Sequence, residues 1–227
     1  MKKINCDPND IVFLHIGKNA GTQIMHVAHQ LQKHGIFIKN FGHNFRLLDL
    51  PKENKYFFSI RNPASRFISG FYSRKRKGQP RIYSEWSDHE IVAFQKFEHA
   101  NELAEDLFLS GSRGISARQA IKSISHTGMQ QIDWFQRCAY LEVQPPLTII
   151  RQEFFNKDMQ RLLDLLDVGL DISGLLTEDK MQAHSNNYDQ CPNLSDLAIA
   201  NLEKWYIQDY MFYERCEEWL NSKNSPY

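Results

Sequence analysis

The chain has 227 residues, 42% of them hydrophobic and 24% charged. That is ordinary for a soluble globular protein and enough for a real core, as one large domain or two small ones. Lys and Arg together number 27, as do Asp and Glu, so no overall field draws in nucleic acid or a membrane, and any anion site must be local.

The first residues, Met1 to Pro8, contain no apolar h-region, and no apolar run is long enough to span a bilayer. A soluble, cytoplasmic chain is therefore expected. Cys6, Cys138, Cys191 and Cys216 are scattered without metal-ligand spacing and read as buried or idle thiols. Ile11 to Ile16 is mostly apolar and β-prone, which predicts a buried strand. Gly17-Lys18-Asn19-Ala20-Gly21-Thr22-Gln23 follows, and then Ile24, Val27, Ala28 and Leu31 recur with the spacing of an amphipathic helix. A strand, a Gly-containing turn and a helix aim main-chain N–H groups and the positive helix end at one spot, which favours phosphate. Gly17 and Gly21 let the backbone approach an anion, and Lys18 adds a mobile charge. The order is not that of a Walker A loop, because Lys18 precedes Gly21.

His34-Gly35 supplies a helix stop, with Gly35 at C′. Ile36 to Ile38 predicts a second strand, Asn40 to Asn44 a polar loop, and Leu47 to Leu50 a brief turn. Tyr56 to Ile60 predicts a third, interior strand. Asn62 suits an N-cap and Pro63 the first helical position, so a helix begins there, with Ile68, Phe71 and Tyr72 on its buried face. This leaves Arg61 at the carboxyl end of a strand and Ser69 about two turns into the helix. Arg74 to Arg81 is basic and turn-rich; it reads as a solvated loop or as an attractor of an anionic acceptor. Trp86 to Leu109 has helical patterning, with Trp86, Phe94 and later Trp134 read as core, or else as aromatic lining of an acceptor cleft. Ser110 to Gly114 reads as a flexible connection. Ile115 to Phe135 reads as helical, interrupted near Gly128. Leu147 to Ile150 predicts a fourth strand and Phe155 to Leu166 a helix. Leu175 to Pro192 reads as a polar loop, and Ser195 as the cap of a long last helix. Strands separated by helices predict an α/β fold, a central parallel sheet flanked by helices, here as a single domain over residues 1–227.

Ligands of such sheets sit at the carboxyl ends of strands. The first strand delivers the Lys18 loop, and the third delivers Arg61, whose forked donors suit a phosphate. The segment Arg61-Asn62-Pro63-Ala64-Ser65-Arg66-Phe67-Ile68-Ser69-Gly70-Phe71 resembles the 3′-phosphate-binding segment of sulfotransferases that use 3′-phosphoadenosine-5′-phosphosulfate (PAPS). The opening stretch Phe13-Leu14-His15-Ile16-Gly17-Lys18-Asn19-Ala20-Gly21-Thr22 is similar to that family's 5′-phosphosulfate loop, and Asp209 to Glu214 looks like its last helix. The resemblance is to the carbohydrate branch, heparan 2-O-like, and covers about Ile11 to Tyr213. The chain departs from the family pattern at Gly17, Asn19 and Gln23, which implies a more flexible loop with fewer hydroxyls.

The resemblance implies a P-loop-NTPase-like sulfotransferase fold and transfer of a sulfuryl group from PAPS to an acceptor hydroxyl, that of a sugar or polysaccharide, leaving 3′,5′-adenosine diphosphate. Gly17, Lys18, Asn19, Ala20, Gly21, Thr22 and Gln23 would hold the 5′ end, with Lys18 and Thr22 stabilising the leaving group. Arg61 and Ser69 would hold the 3′-phosphate, and the arrangement requires no metal. His43, in a Gly-His segment between the two motifs, is the expected general base. Glu153, at the end of the fourth strand, is the second candidate, or else a structural group paired with Arg151. His15 reads as a packed histidine, and His184 to Asn187 as a loop closing over the nucleotide. Two other readings compete: a P-loop-type kinase, against which stand the position of Lys18 and the lack of an aspartate placed for metal, and a non-catalytic nucleotide-binding protein.

Overall fold

A computed structural model describes residues 6, 7, 9–80, 82–135, 140–176, 188 and 191–222. Among them, four strands form one sheet: β1 (Ile11–Leu14), β2 (Ile38–Lys39), β3 (Lys55–Ile60) and β4 (Ile149–Arg151). The order is β2-β1-β3-β4 and every pairing is parallel. β1 lies against β3 with Val12 opposite Tyr56 and Leu14 opposite Phe58, so the two carboxyl ends lie side by side. The described residues divide into two compact units: one falls within Met1–Arg61, Gln131–His184 and Phe212–Tyr227, the other within Asn62–Gln130 and Ser185–Met211.

In the first unit the two-residue period of the strands sorts the core into two layers. Val12, Leu14, Tyr56, Phe58, Ile60 and Ile149 pack with Trp134, Phe135, and Phe212, Cys216 and Trp219 of the last helix. Phe13, Phe57 and Ile150 face the other way, onto Ile24, Val27, Ala28 and Leu31 of α1 (Gly21–Leu31) and onto Met159, Leu162 and Leu163 of a later helix. Both faces are covered, which is why β1 and β3 read as continuous apolar runs rather than as alternating ones. Each such large side chain contributes about 1.5–3 kcal/mol by burial.

The second unit is helical: α2 (Pro63–Lys75), α3 (Asp88–Lys96), α4 (Ala100–Glu105), α5 (Gly111–Ser123) and, near the end of the chain, a helix over Asp196–Trp205. Phe67, Phe71, Phe94, Phe97, Leu103, Leu107, Ile121, Leu202 and Tyr206 form its core. Asn62 caps α2 as expected, its side chain accepting from the Ser65 N–H at 3.1 Å with Pro63 at the first helical position. Among the described residues the other α-helices are α6 (Tyr140–Val143), α7 (Phe155–Leu165) and α9 (Ile207–Asn221), and the helix over Asp196–Trp205 is α8.

Several expectations shift. The second strand starts at Ile38 rather than Ile36, because the Ile36 N–H bonds back to the Leu31 carbonyl at 3.2 Å around the left-handed Gly35, in a helix-closing turn. The stretch Ser110 to Gly114 is no flexible connection: α5 begins at Gly111, and a Cβ on Gly114 would lie 1.9 Å from the Leu109 carbonyl oxygen, so the chain doubles back tightly there. The long last helix is two helices, α8, capped by Ser195, and α9. They divide at Tyr206, whose buried hydroxyl donates to the Thr127 carbonyl at 2.6 Å. Cys6, Cys191 and Cys216 are free thiols, whereas Cys138 lies outside the described residues. No helix among the described residues is long and apolar enough to cross a membrane.

Candidate functional site

The turn after β1 departs from ordinary backbone geometry twice in three residues. Lys18 and Ala20 both have positive φ, 71° and 59°, a conformation that costs a non-glycine residue about 1–3 kcal/mol. Alternation of this kind makes main-chain N–H groups converge, forming an anion-binding nest. Ala20 is also the N-cap of α1, a position where a side-chain oxygen is usual, and it supplies no side-chain cap. The positive end of an 11-residue helix therefore coincides with the nest.

Three buried side chains hold this loop. Asn19 turns inward and is fully buried; its amide donates to the Ser59 carbonyl at 2.8 Å and to Gln131 Oε1 at 2.7 Å. The Ser59 hydroxyl returns a bond to the Asn19 carbonyl at 2.6 Å. The loop is thereby fastened to β3 rather than loosened by Gly17 and Asn19, and Asn19 has only its main chain to offer an anion. Gln131 also bonds both main-chain groups of Arg61, accepting from its N–H at 3.0 Å and donating to its carbonyl at 2.8 Å. From that stem the Arg61 guanidinium reaches the loop and donates to the Lys18 carbonyl at 3.4 Å. Lys18 and Arg61, predicted to act on one ligand, meet at the carboxyl ends of neighbouring strands.

A second arrangement lies beside the loop. Gly42, at φ 80°, turns the chain after β2, and its N–H donates to Asn40 Oδ1 at 2.8 Å. That bond fixes which way the Asn40 amide faces, so Asn40 Nδ2 is the donor to His15 Nδ1 at 3.2 Å. His15 therefore carries its proton on Nε2. Burial, with some repulsion from His43, pushes its pKa down to about 3, and the ring stays neutral. It stacks on Phe13, so the packed-histidine reading holds in part, although the ring is only half-buried.

His43 stands next to that ring, with centroids 4.0 Å apart, and its Nδ1 contacts the His15 carbonyl at 3.3 Å. A carbonyl can only accept, so Nδ1 bears the hydrogen and the basic lone pair is on Nε2 of this exposed side chain. Arg46 braces the segment from below: its guanidinium lies 4.4 Å over the Trp134 ring and donates to the carbonyls of His43, at 2.5 Å, and Phe45, at 3.3 Å.

The same His15 ring explains Gly21. A Cβ there would fall 1.9 Å from His15 Nε2, and the ring is backed by Phe13 on one side and His43 on another. Gly21→Ala is expected to cost about 1–3 kcal/mol, as overpacking does, lowering the melting temperature by several degrees. An unchanged melting curve would mean that the ring yields without cost.

Of the other expected site residues, Thr22 and Gln23 lie on the first turn of α1, half-buried. Ser69 lies on α2 in the helical unit, 7% exposed. In that unit Arg66 is buried and donates to the Met129 carbonyl at 2.8 Å. Glu153 is not paired with Arg151: that guanidinium holds Asp158 through Nε and Nη2, both at 2.9 Å, whereas Glu153 is exposed and accepts from the Tyr213 hydroxyl at 3.2 Å. Three residues of the basic run are paired within their own unit. Arg74 pairs with buried Glu90, Lys75 with Glu98 and Lys77 with Glu85, whereas Arg76 lies over the Tyr188 ring and Arg81 is outside the described residues. Residues 184–187 lie outside the described residues.

Sequence reasoning missed Gln131, Ser59 and Asn40. Asn40, two residues before a glycine, carries the signature of an Asx turn and was legible on that ground. Gln131 and Ser59 belong to no motif.

A family model described as "Sulfotransferase family" matches residues 3–214. No curated protein matches the chain.

Proposed function

Because the chain belongs to the sulfotransferase family, with the match running through nearly its whole length, we propose that it transfers a sulfuryl group from PAPS to an acceptor hydroxyl, that of a sugar or polysaccharide by the branch it resembles. The observation that carries the donor assignment is the contact of Arg61 Nη1 with the Lys18 carbonyl. It puts the residue expected at the 3′-phosphate against the loop expected at the 5′-phosphosulfate. The nest at Lys18 and Ala20, the helix end behind it and the fastening by Asn19 fit a multiply charged anion.

When bound, the donor supplies an activated sulfuryl group and departs as 3′,5′-adenosine diphosphate. The loop N–H groups, the Lys18 ammonium and the Thr22 hydroxyl balance the charge that grows on the phosphate side, a stabilisation made before the reaction and needing no rearrangement during it. The Arg61 fork grips the 3′-phosphate. Ser69 is assigned to the same phosphate by the resemblance alone. His43, its Nδ1 hydrogen directed at the His15 carbonyl, presents Nε2 to take the acceptor proton. His15 stays neutral beside it and adds no competing positive charge.

Thermal-shift titration tests the donor. 3′,5′-Adenosine diphosphate is expected to raise the melting temperature well above the effect of ATP with magnesium, through the mass-action term of ligand binding. In Arg61→Ala the advantage of the 3′-phosphate should disappear. Equal shifts in the wild type would point to a kinase-like nucleotide site instead, and a preference surviving in Arg61→Ala would remove Arg61 from it.

A further inference from the structure

Gln131 sits at the start of a 3-10 turn over Gln131–Trp134, in a stretch without any sequence motif, yet its side chain is fully buried. β3 ends at Ile60, and one residue further on the Gln131 amide meets both main-chain groups of Arg61, its Oε1 accepting from the N–H at 3.0 Å and its Nε2 donating to the carbonyl at 2.8 Å. The same Oε1 accepts from Asn19 Nδ2 at 2.7 Å, and Asn19 lies between the two left-handed residues of the loop. One planar group therefore grips the stem of Arg61 and the middle of the loop together. Only glutamine meets the requirement: glutamate lacks the donor, methionine lacks both functions, and asparagine is one methylene short.

We infer that Gln131 is a positioning residue that sets the span between the Lys18 loop and Arg61, and through that span the preference for a 3′-phosphorylated nucleotide. It touches neither phosphate; it fixes where the two grips stand relative to one another. The inference rests on the donor reading above. Shifting one grip against the other weakens a nucleotide that spans both more than one held at its 5′ end, whereas a merely stabilising side chain would affect all nucleotides alike.

The test is the ratio of dissociation constants for adenosine 5′-diphosphate and 3′,5′-adenosine diphosphate, measured on the full chain. Wild type is expected to favour the 3′-phosphorylated compound. Gln131→Met, which keeps the shape and removes all three bonds, should lower that ratio by about tenfold or more, as the loss of one charge-assisted bond to the 3′-phosphate would, and Gln131→Glu, which keeps the two acceptor bonds, should lower it by less. A Gln131→Met protein that binds both nucleotides more weakly but with the wild-type ratio overturns the proposal. Should that variant not fold, the side-chain amide resonance of Gln131 in the wild type gives the answer: it should move on adding 3′,5′-adenosine diphosphate and much less on adding adenosine 5′-diphosphate, and equal movement overturns the proposal. A wild type without any preference overturns the donor reading itself, and this inference with it; a preference that ignores Gln131 overturns this inference alone.

Discussion

His43→Ala should turn over about 10²–10⁴-fold more slowly than wild type, the usual loss for a general base, while its affinity for 3′,5′-adenosine diphosphate stays within a factor of two or so, since no phosphate contact is removed. The expectation follows from the tautomer. With the Nδ1 hydrogen engaged by the His15 carbonyl, the imidazole has one nitrogen able to receive a proton, and it sits on an exposed side chain beside the ring that covers Gly21. His43→Asn separates chemistry from architecture. An asparagine amide can still donate to the His15 carbonyl but cannot accept a proton at neutral pH. If Asn at this position is as slow as Ala, proton transfer is the role; if it works as well as histidine, His43 only props the loop and the base must be sought elsewhere. Glu153, bonded to the Tyr213 hydroxyl, would be the next residue to replace.

Glu90→Ala should destabilise the helical unit by about 3–5 kcal/mol, the range for breaking a buried ion pair by removing one partner. Glu90 and Arg74 are 3% and 6% exposed and join through two bonds, Nε to Oε1 at 2.7 Å and Nη2 to Oε2 at 2.9 Å. The carboxylate also accepts from the N–H groups of Ser87 at 3.0 Å and Ser125 at 3.1 Å, tying the cap of α3 to the end of α5. Its loss strands a guanidinium in the interior. Burial alone would raise the pKa of Glu90, but the Arg74 fork and the two main-chain donors outweigh it and hold the group at about 2, against an ordinary 4.5. The folded pKa lies below the unfolded one, so the contribution is complete above about pH 4.5 and fades as pH falls toward 2. Urea denaturation should therefore show a wide gap between wild type and Glu90→Gln at pH 6 that narrows between pH 4.5 and 2. A gap independent of pH across that window would mean that the pair does not set the titration of Glu90.

Local signals were legible because their physics is local. The left-handed Gly35 after a 3-10 turn, the Asn62 cap with Pro63 behind it, and the apolar stripe Ile24, Val27, Ala28 and Leu31 each act within a few residues. The boundaries that moved did so where a neighbour claimed a main-chain group, as Leu31 claims the N–H of Ile36. The basic run shows the opposite limit. Arg74 to Lys77 has the composition of a polyanion attractor, yet its partners Glu85, Glu90 and Glu98 arrive from 8 to 23 residues further along, and composition does not say which charges will be spent internally.

By itself the sequence determined the α/β class, the parallel sheet implied by apolar strands with helices between them, and the loop-and-arginine pair at two strand ends, because hydrophobic period, caps and motif order are written in short stretches of chain. The tertiary structure alone decided what holds that pair together. Gln131 bonds Arg61 across 70 residues and Asn19 across 112, and the tautomer of His43 depends on a carbonyl 28 residues before it. Such bonds carry no period and no spacing rule; they exist only once folding has brought a donor and an acceptor within about 3 Å.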